Sequence, residues 1–255
     1  MSGIDAFYVM ELQARAHALE AAGRDIVHME IGQPDFSAPQ FIVDAGFERL
    51  RRDGAPYTGA LGLPELRSAI ADFYARRFGI SVAPSRIVLT TGGSAALLLA
   101  LGALVGPGDE VLVPDPSYPC NRHMARFAGA ETRALRVDAA NRFQPTAGQV
   151  AADWRESCRL LMLASPANPT GTSVPAAALP EILRVVAERG GNLLMDEIYQ
   201  GLHYVGQPHS ALNVSDQVFV VNSFSKYFQM TGWRLGWLVV PEAYQRAVEK
   251  LAQNL

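Results

Sequence analysis

Cysteine is scarce in this 255-residue chain: there are two, Cys120 and Cys158, far apart and in no CxxC spacing. That argues against a disulfide framework or a cysteine zinc site, and it makes a reducing cytoplasm the expected location. Charge of one sign is not in excess either, with 22 Lys and Arg against 25 Asp and Glu and a net charge of −3. Nothing in that balance points to nucleic acid or to an anionic membrane as a partner. The first twenty residues mix acids and bases and lack an apolar core, so no signal peptide is expected. Residues 87–108 run without a charge and could imitate a membrane span. Their order is a β-branched run, a Gly pair, then a Leu/Ala run closed by Gly-Pro-Gly, which predicts strand, turn and buried helix, each too short to span a bilayer. No internal repeat or low-complexity linker is visible. A hydrophobic content of 49% with 18% charge suits a globular protein with a large core.

Residues 10–24 space their apolar positions as an amphipathic helix ending at Gly23. "IVHMEIG" then reads as a short strand and "QPDFSAP" as a loop. Residues 40–52 and 64–78 read as two more helices, the second opening on Pro64 as a first-turn proline does. From residue 86 the pattern is regular. Seven apolar runs, "RIVLT", "EVLVP", "ETRALRV", "RLLMLA", "NLLMD", "QVFVVN" and "GWLVV", are separated in several places by helical stretches. The helices are expected after Gly93, around "YPCNRHMARFAG" and at "ALPEILRVVAERG". Such alternation predicts an α/β fold with a mainly parallel sheet covered on both faces.

In such sheets ligands sit beyond the carboxyl ends of the strands. Gly93 and Ser94 follow one strand, Asn168 another, Asp196 ends a third and Lys226 follows a fourth. Four segments converging on one rim argue for an enzyme. Each residue alone has a plainer explanation: a tight Gly turn, a turn asparagine, a helix-capping aspartate, a solvated lysine. Together they are harder to dismiss. "FSKYFQMTGWRLGW" sets Lys226 and Arg234 among aromatics and hydroxyls with no acid nearby. A lysine partly out of water beside a second cation loses proton affinity, and its free amine attacks carbonyls. A phosphorylated aldehyde would answer both cations. The turn at Gly92, Gly93 and Ser94 opens a helix, whose free N–H groups suit a phosphate. Trp233, His123, His203 and His209 receive no catalytic role, and the acids of "GDEV" read as a solvated loop. No metal site is expected from linear spacing.

"SFSKYFQMTGWRLGW" resembles the lysine signature of class I/II aminotransferases, the fold-type I enzymes that use pyridoxal 5′-phosphate. The likeness continues through "MEIGQPDF", "YTGALGLPELR", "TTGGSAAL", "DPSYP", "SPANPTG" and "DEIY". It covers nearly the whole chain. One departure is Gln229, where the family usually has a small residue, commonly glycine; local repacking is expected there. The resemblance implies a three-layer sandwich around a seven-stranded, mainly parallel sheet, with residues 41–255 as the large cofactor domain. Residues 1–40 would form an N-terminal arm and part of a small domain. Lys226 would attach the cofactor and shuttle a proton, while Asp196 would bind the pyridine nitrogen. Asn168 and Tyr199 would hydrogen-bond the phenolic oxygen, and Tyr118 would stack on the ring. Gly93, Ser94, Ala95, Ser223, Ser225 and Arg234 would hold the phosphate. Tyr57 would reach the phosphate of a neighbouring subunit, making a homodimer part of the site. Gly32 and Asn168 would line the substrate side.

Relatives in the family continue past "PEAYQRAVEKLAQNL" with most of the small domain and an arginine that clamps the substrate carboxylate. No match to that motif occurs before residue 255. The implied reaction is amino-group transfer between an amino acid and a 2-oxo acid, with β-lyase or decarboxylase chemistry, or a cofactor-binding remnant without turnover, as alternatives. A regulator would need an attached basic DNA-binding segment, and the N-terminal region has none.

Overall fold

All seven apolar runs form strands, and they pair into one sheet. The computed structural model describes residues 4–255. In chain order the elements are α1 (Tyr8–Ala21), α2 (Gln40–Asp53), α3 (Pro64–Phe78), β1 (Ile87–Thr90), α4 (Gly93–Leu104), β2 (Glu110–Asp115), α5 (Cys120–Phe127) and β3 (Glu131–Arg136). There follow α6 (Ala147–Asp153), β4 (Cys158–Ala164), α7 (Leu179–Glu188), β5 (Asn192–Asp196), β6 (Phe219–Ser223), β7 (Gly236–Val239) and α8 (Gln245–Ala252). The strand order is β1-β7-β6-β5-β4-β2-β3. Pairs among β2 to β6 are parallel, whereas β7 runs antiparallel to both β6 and β1. Six strands therefore point one way, and their carboxyl ends share a rim with the beginning of β7.

Alternation along the strands builds two cores. Leu161, Leu163, Leu193, Met195, Val220, Trp237 and Val239 face α3, α6 and α7. Leu160, Met162, Leu194, Phe219, Val221 and Leu238 face α4, α5 and α8. A strand buried on both faces has to be apolar throughout, which is why these runs were legible without alternation. Trp237 is fully buried, and its indole N–H donates to the Tyr74 hydroxyl at 3.1 Å, tying β7 to α3.

Three expectations need correction. "IVHMEIG" is not a strand. No strand of the described residues lies alongside it, and Val27 and Met29 are exposed, so its backbone has no ladder to join. Helices α6 and α8 were not anticipated. The first carried a signal, because Thr146 and Gln149 form a reciprocal capping box of the T-x-x-Q kind. Finally, α1 stops at Ala21, and Gly23 lies in the turn beyond it. Among the described residues none before Ile70 is buried, so the cores belong to the chain from α3 onward.

Candidate active site

Lys226 sits in an excursion from the sheet. The chain leaves at Ser223 and returns at Gly236, which are ladder partners. Phe224 N–H donates to Leu235 O at 3.0 Å and Met230 N–H to Phe224 O at 3.0 Å, closing the neck. Phe224 and Phe228 pack their rings on Trp237, with centroids 5.0 and 6.3 Å away, so the aromatics root the loop in the core. Lys226 is left half-buried at the rim. Its Nζ donates to Gly32 O at 2.5 Å and lies 5.9 Å from the Tyr199 ring centre. Burial, and then the charge of Arg234, hold its pKa below the ordinary lysine value.

Arg234 lies on the same rim. Its Nη1 donates to Thr231 O at 2.9 Å and to Ser225 Oγ at 3.3 Å. No carboxylate among the described residues pairs with Lys226 or Arg234. Ser223 Oγ is 2.9 Å from Ser225 Oγ and accepts from the Ser225 N–H at 3.0 Å. Beside them α4 begins at Gly93 with no side-chain cap, leaving its first N–H groups free to take an anion. Close approach explains the glycines. A Cβ on Gly236 would lie 2.6 Å from the Gly92 carbonyl carbon and 2.8 Å from Gly93 N, and a Cβ on Gly92 would overlap the Arg234 guanidinium. Gly92 and Gly236 thus let the helix start, the serines and the guanidinium share one small volume. Serine hydroxyls, uncapped amides and an arginine form a donor set that fits a phosphate.

The site also holds an acid. Asp196 closes β5, and its Oδ1 accepts from Ile198 N–H at 3.0 Å. Burial raises its pKa to about 6, opposed by that hydrogen bond, and no cation of the described residues pairs with it. Tyr199 is near enough to feel the Asp196 charge and hydrogen-bonds Asn168; burial is the main reason its pKa is raised. Tyr118 is raised likewise, chiefly by burial and then by a hydrogen bond with Cys120. Its ring meets Phe7 edge-on at 5.8 Å. The Asn168 turn is fixed from below, where Gln200 Nε2 donates to Ser165 O at 2.8 Å and Ala167 N–H to Thr172 O at 2.9 Å.

Lys226, Asp196, Tyr199, Asn168, Tyr118, Gly93, Ser223, Ser225, Arg234 and Gly32 are therefore brought to one rim. Ser94 and Ala95 follow in the first turn of α4, with the Ser94 side chain exposed. Tyr57 stands apart, fully exposed in the loop before α3. Sequence reasoning missed Glu197, which is 0% exposed. Its Oε1 accepts from Ala211 N–H at 2.6 Å, its Oε2 has no partner, and burial raises its pKa to about 8. An acid beside an acid reads as surface, and no signal marked this one. Gln229 adopts φ +59°, the left-handed region that a glycine enters freely.

The sequence profile for "Aminotransferase class I and II" matches residues 24–255. Valine–pyruvate aminotransferase of Mycobacterium tuberculosis is 42% identical over 99% of this chain and 66% of that protein. Aspartate aminotransferase of Streptomyces avermitilis is 36% identical over 96% of this chain and 62% of its own length. Among solved structures, an aminotransferase from Mycobacterium tuberculosis superposes with a TM-score of 0.95 at 42% identity, covering 100% of this chain and 66% of that one. Aspartate aminotransferase from Thermus thermophilus with maleate gives 0.94 at 31% identity over 99% and 66%. The chain spans just under two thirds of the length of these relatives. From its profile match, its relatives and its fold, this chain belongs to the class I and II aminotransferase family.

Proposed function

We propose that the protein is an aminotransferase exchanging an amino group between an amino acid and a 2-oxo acid. The cofactor of the family is pyridoxal 5′-phosphate, and the donor set fits it. One observation carries the proposal: two cations without a carboxylate and one carboxylate without a cation share the rim. That is the complement of a ligand with a phosphate and a protonated ring nitrogen.

Arg234, Ser223, Ser225 and the first amides of α4, at Gly93, Ser94 and Ala95, would bind the phosphate. Asp196 would pair with the ring nitrogen and keep it protonated. Asn168 and Tyr199 would hydrogen-bond the phenolic oxygen, and Tyr118 would cover the ring. Lys226 Nζ would be the point of attachment and the base that carries a proton. Its depressed pKa supplies the free amine this requires. When bound, the cofactor supplies an electron sink for the charge that develops on the substrate carbon. Gly32 and Asn168 would border the substrate.

Residues 41–255 form the cofactor domain in this reading, and residues 1–40 an arm and part of a second lobe. Exposure of Tyr57 supports a homodimer in which it reaches the partner's phosphate. Both cysteines are free thiols, in keeping with a cytoplasmic location. Among the described residues no helix is long and apolar enough to cross a membrane.

The chain has two lysines, Lys226 and Lys250, so attachment is simple to locate. After incubation with pyridoxal phosphate and borohydride reduction, peptide mapping should find the adduct on Lys226, and Lys226→Ala should lose it. Adduct on Lys250 alone would reject the assignment. Transfer of an amino group from valine or aspartate to a 2-oxo acid, assayed on the whole protein, tests the reaction itself.

A further inference from the structure

Away from the rim, α1 carries His17 and Glu20 three residues apart, on one face of the helix. The chain then turns at Gly23, with φ +85°, and comes back along the helix. This reversal sets His28 against both residues. Its Nε2 is 2.9 Å from Glu20 Oε1, and its ring centre is 5.2 Å from that of His17. The candidate donor atoms of His17, Glu20 and His28 all lie within 4.8 Å of one another. On the far side of the ring, His28 Nδ1 is 2.6 Å from Glu30 Oε1.

We propose that His17, Glu20 and His28 form a site for a divalent transition-metal ion, zinc in the first instance, with Glu30 as a positioning residue. Two imidazoles and one carboxylate are a nitrogen-rich set that favours zinc, cobalt or nickel over magnesium or calcium, which take oxygen. Metal bonds of about 2.0–2.1 Å in a tetrahedron put ligand atoms about 3.3 Å apart. The three side chains are exposed, so small rotamer changes close the remaining gap. Glu30 is the independent sign. A histidine that ligates through one nitrogen characteristically gives its other N–H to a carboxylate, which fixes tautomer and ring orientation. Glu30 holds Nδ1 in that way and leaves Nε2 facing Glu20 and His17. The fourth position is open to water. The bound ion would clasp α1 to residues 24–30, ending two residues before Gly32.

The site shares no residue with the pyridoxal phosphate rim, so its test is separate. Chelator-treated whole chain is titrated with zinc chloride by calorimetry, with thermal unfolding alongside. One equivalent should bind, raise the melting temperature and resist excess magnesium. His17→Ala and His28→Ala should each weaken binding at least about 10-fold, and Glu30→Gln by about 10-fold. Cobalt should give a visible ligand-field spectrum that is lost in His17→Ala, a surface variant whose folding is checked by circular dichroism. The Cys120→Ser/Cys158→Ser variant should bind as the parent does. No zinc uptake by the folded chain, or unchanged uptake by the His17→Ala/His28→Ala variant, overturns the proposal.

Discussion

The guanidinium of Arg234 rests against Gly92 so closely that a methyl group on Gly92 would overlap Nη2. Gly92 also has φ +90° and ψ 172°, a conformation that only glycine takes readily. The proposed phosphate cradle thus depends on a residue that contributes no side chain.

Gly92→Ala should therefore do two things. It should cost about 1–3 kcal/mol of stability through backbone strain, and it should displace Arg234, weakening pyridoxal phosphate at least about 10-fold. Urea unfolding and a cofactor titration read the two effects separately. A variant indistinguishable from the parent in both would show that the cradle lies elsewhere.

Arg234→Gln removes the positive charge that helps depress Lys226. The ammonium form of Lys226 becomes easier to keep, so its pKa should rise toward the ordinary lysine value, though not fully, because burial is the larger cause. The rate at which an amine reagent labels Lys226 should then need a higher pH, with Lys250 in the same sample as the internal reference. An unshifted profile would mean that the two charges are not coupled.

Glu197 makes stability depend on pH. Its folded value of about 8 stands above the ordinary 4.5, so between those values the folded chain keeps a proton that the unfolded chain releases. The contribution is fully present below 4.5 and is lost as pH rises to about 8, at up to about 1.4 kcal/mol per pH unit. Glu197→Gln keeps the shape and has no proton to lose. Denaturant unfolding across that window should show a flatter dependence than the parent, with a residual slope from Asp196, and no lower stability at neutral pH.

At Gln229 the expected repacking is instead a backbone matter. A non-glycine residue at φ +59° carries strain of about 1–2 kcal/mol. Gln229→Gly should recover about 1 kcal/mol of it after the added flexibility of the unfolded chain is counted. A rise in melting temperature is the expected result, and a fall would mean that the glutamine side chain contributes more than its backbone costs.

How far the sequence could be read follows from the kind of force at each place. Strands buried on both faces must be apolar along their length, so "RLLMLA" and "NLLMD" announced themselves. Pro64 and Gly93 marked helix starts because their backbone chemistry is local. Lys226, Asp196 and Asn168 were legible because each follows an apolar run, where strand ends meet. Pairing partners were not legible. "IVHMEIG" has the composition of a strand, but composition cannot supply a neighbour. The antiparallel setting of β7 and the burial of Glu197 are likewise decided by distant segments. The juxtaposition of His17 with His28 depends on a reversal at Gly23, which linear spacing does not encode.

The loop from Phe224 to Leu235 is pinned at its neck by Ser223 and Gly236, on neighbouring strands of opposite direction. Its contour length is consequently a ruler: it sets the span between amine and guanidinium while the sheet beneath stays indifferent. Side chains along it can be exchanged one at a time. Adding or deleting a single residue between Lys226 and Arg234 would instead slide one charge past the other, and a ligand gripped at two points would lose one of them.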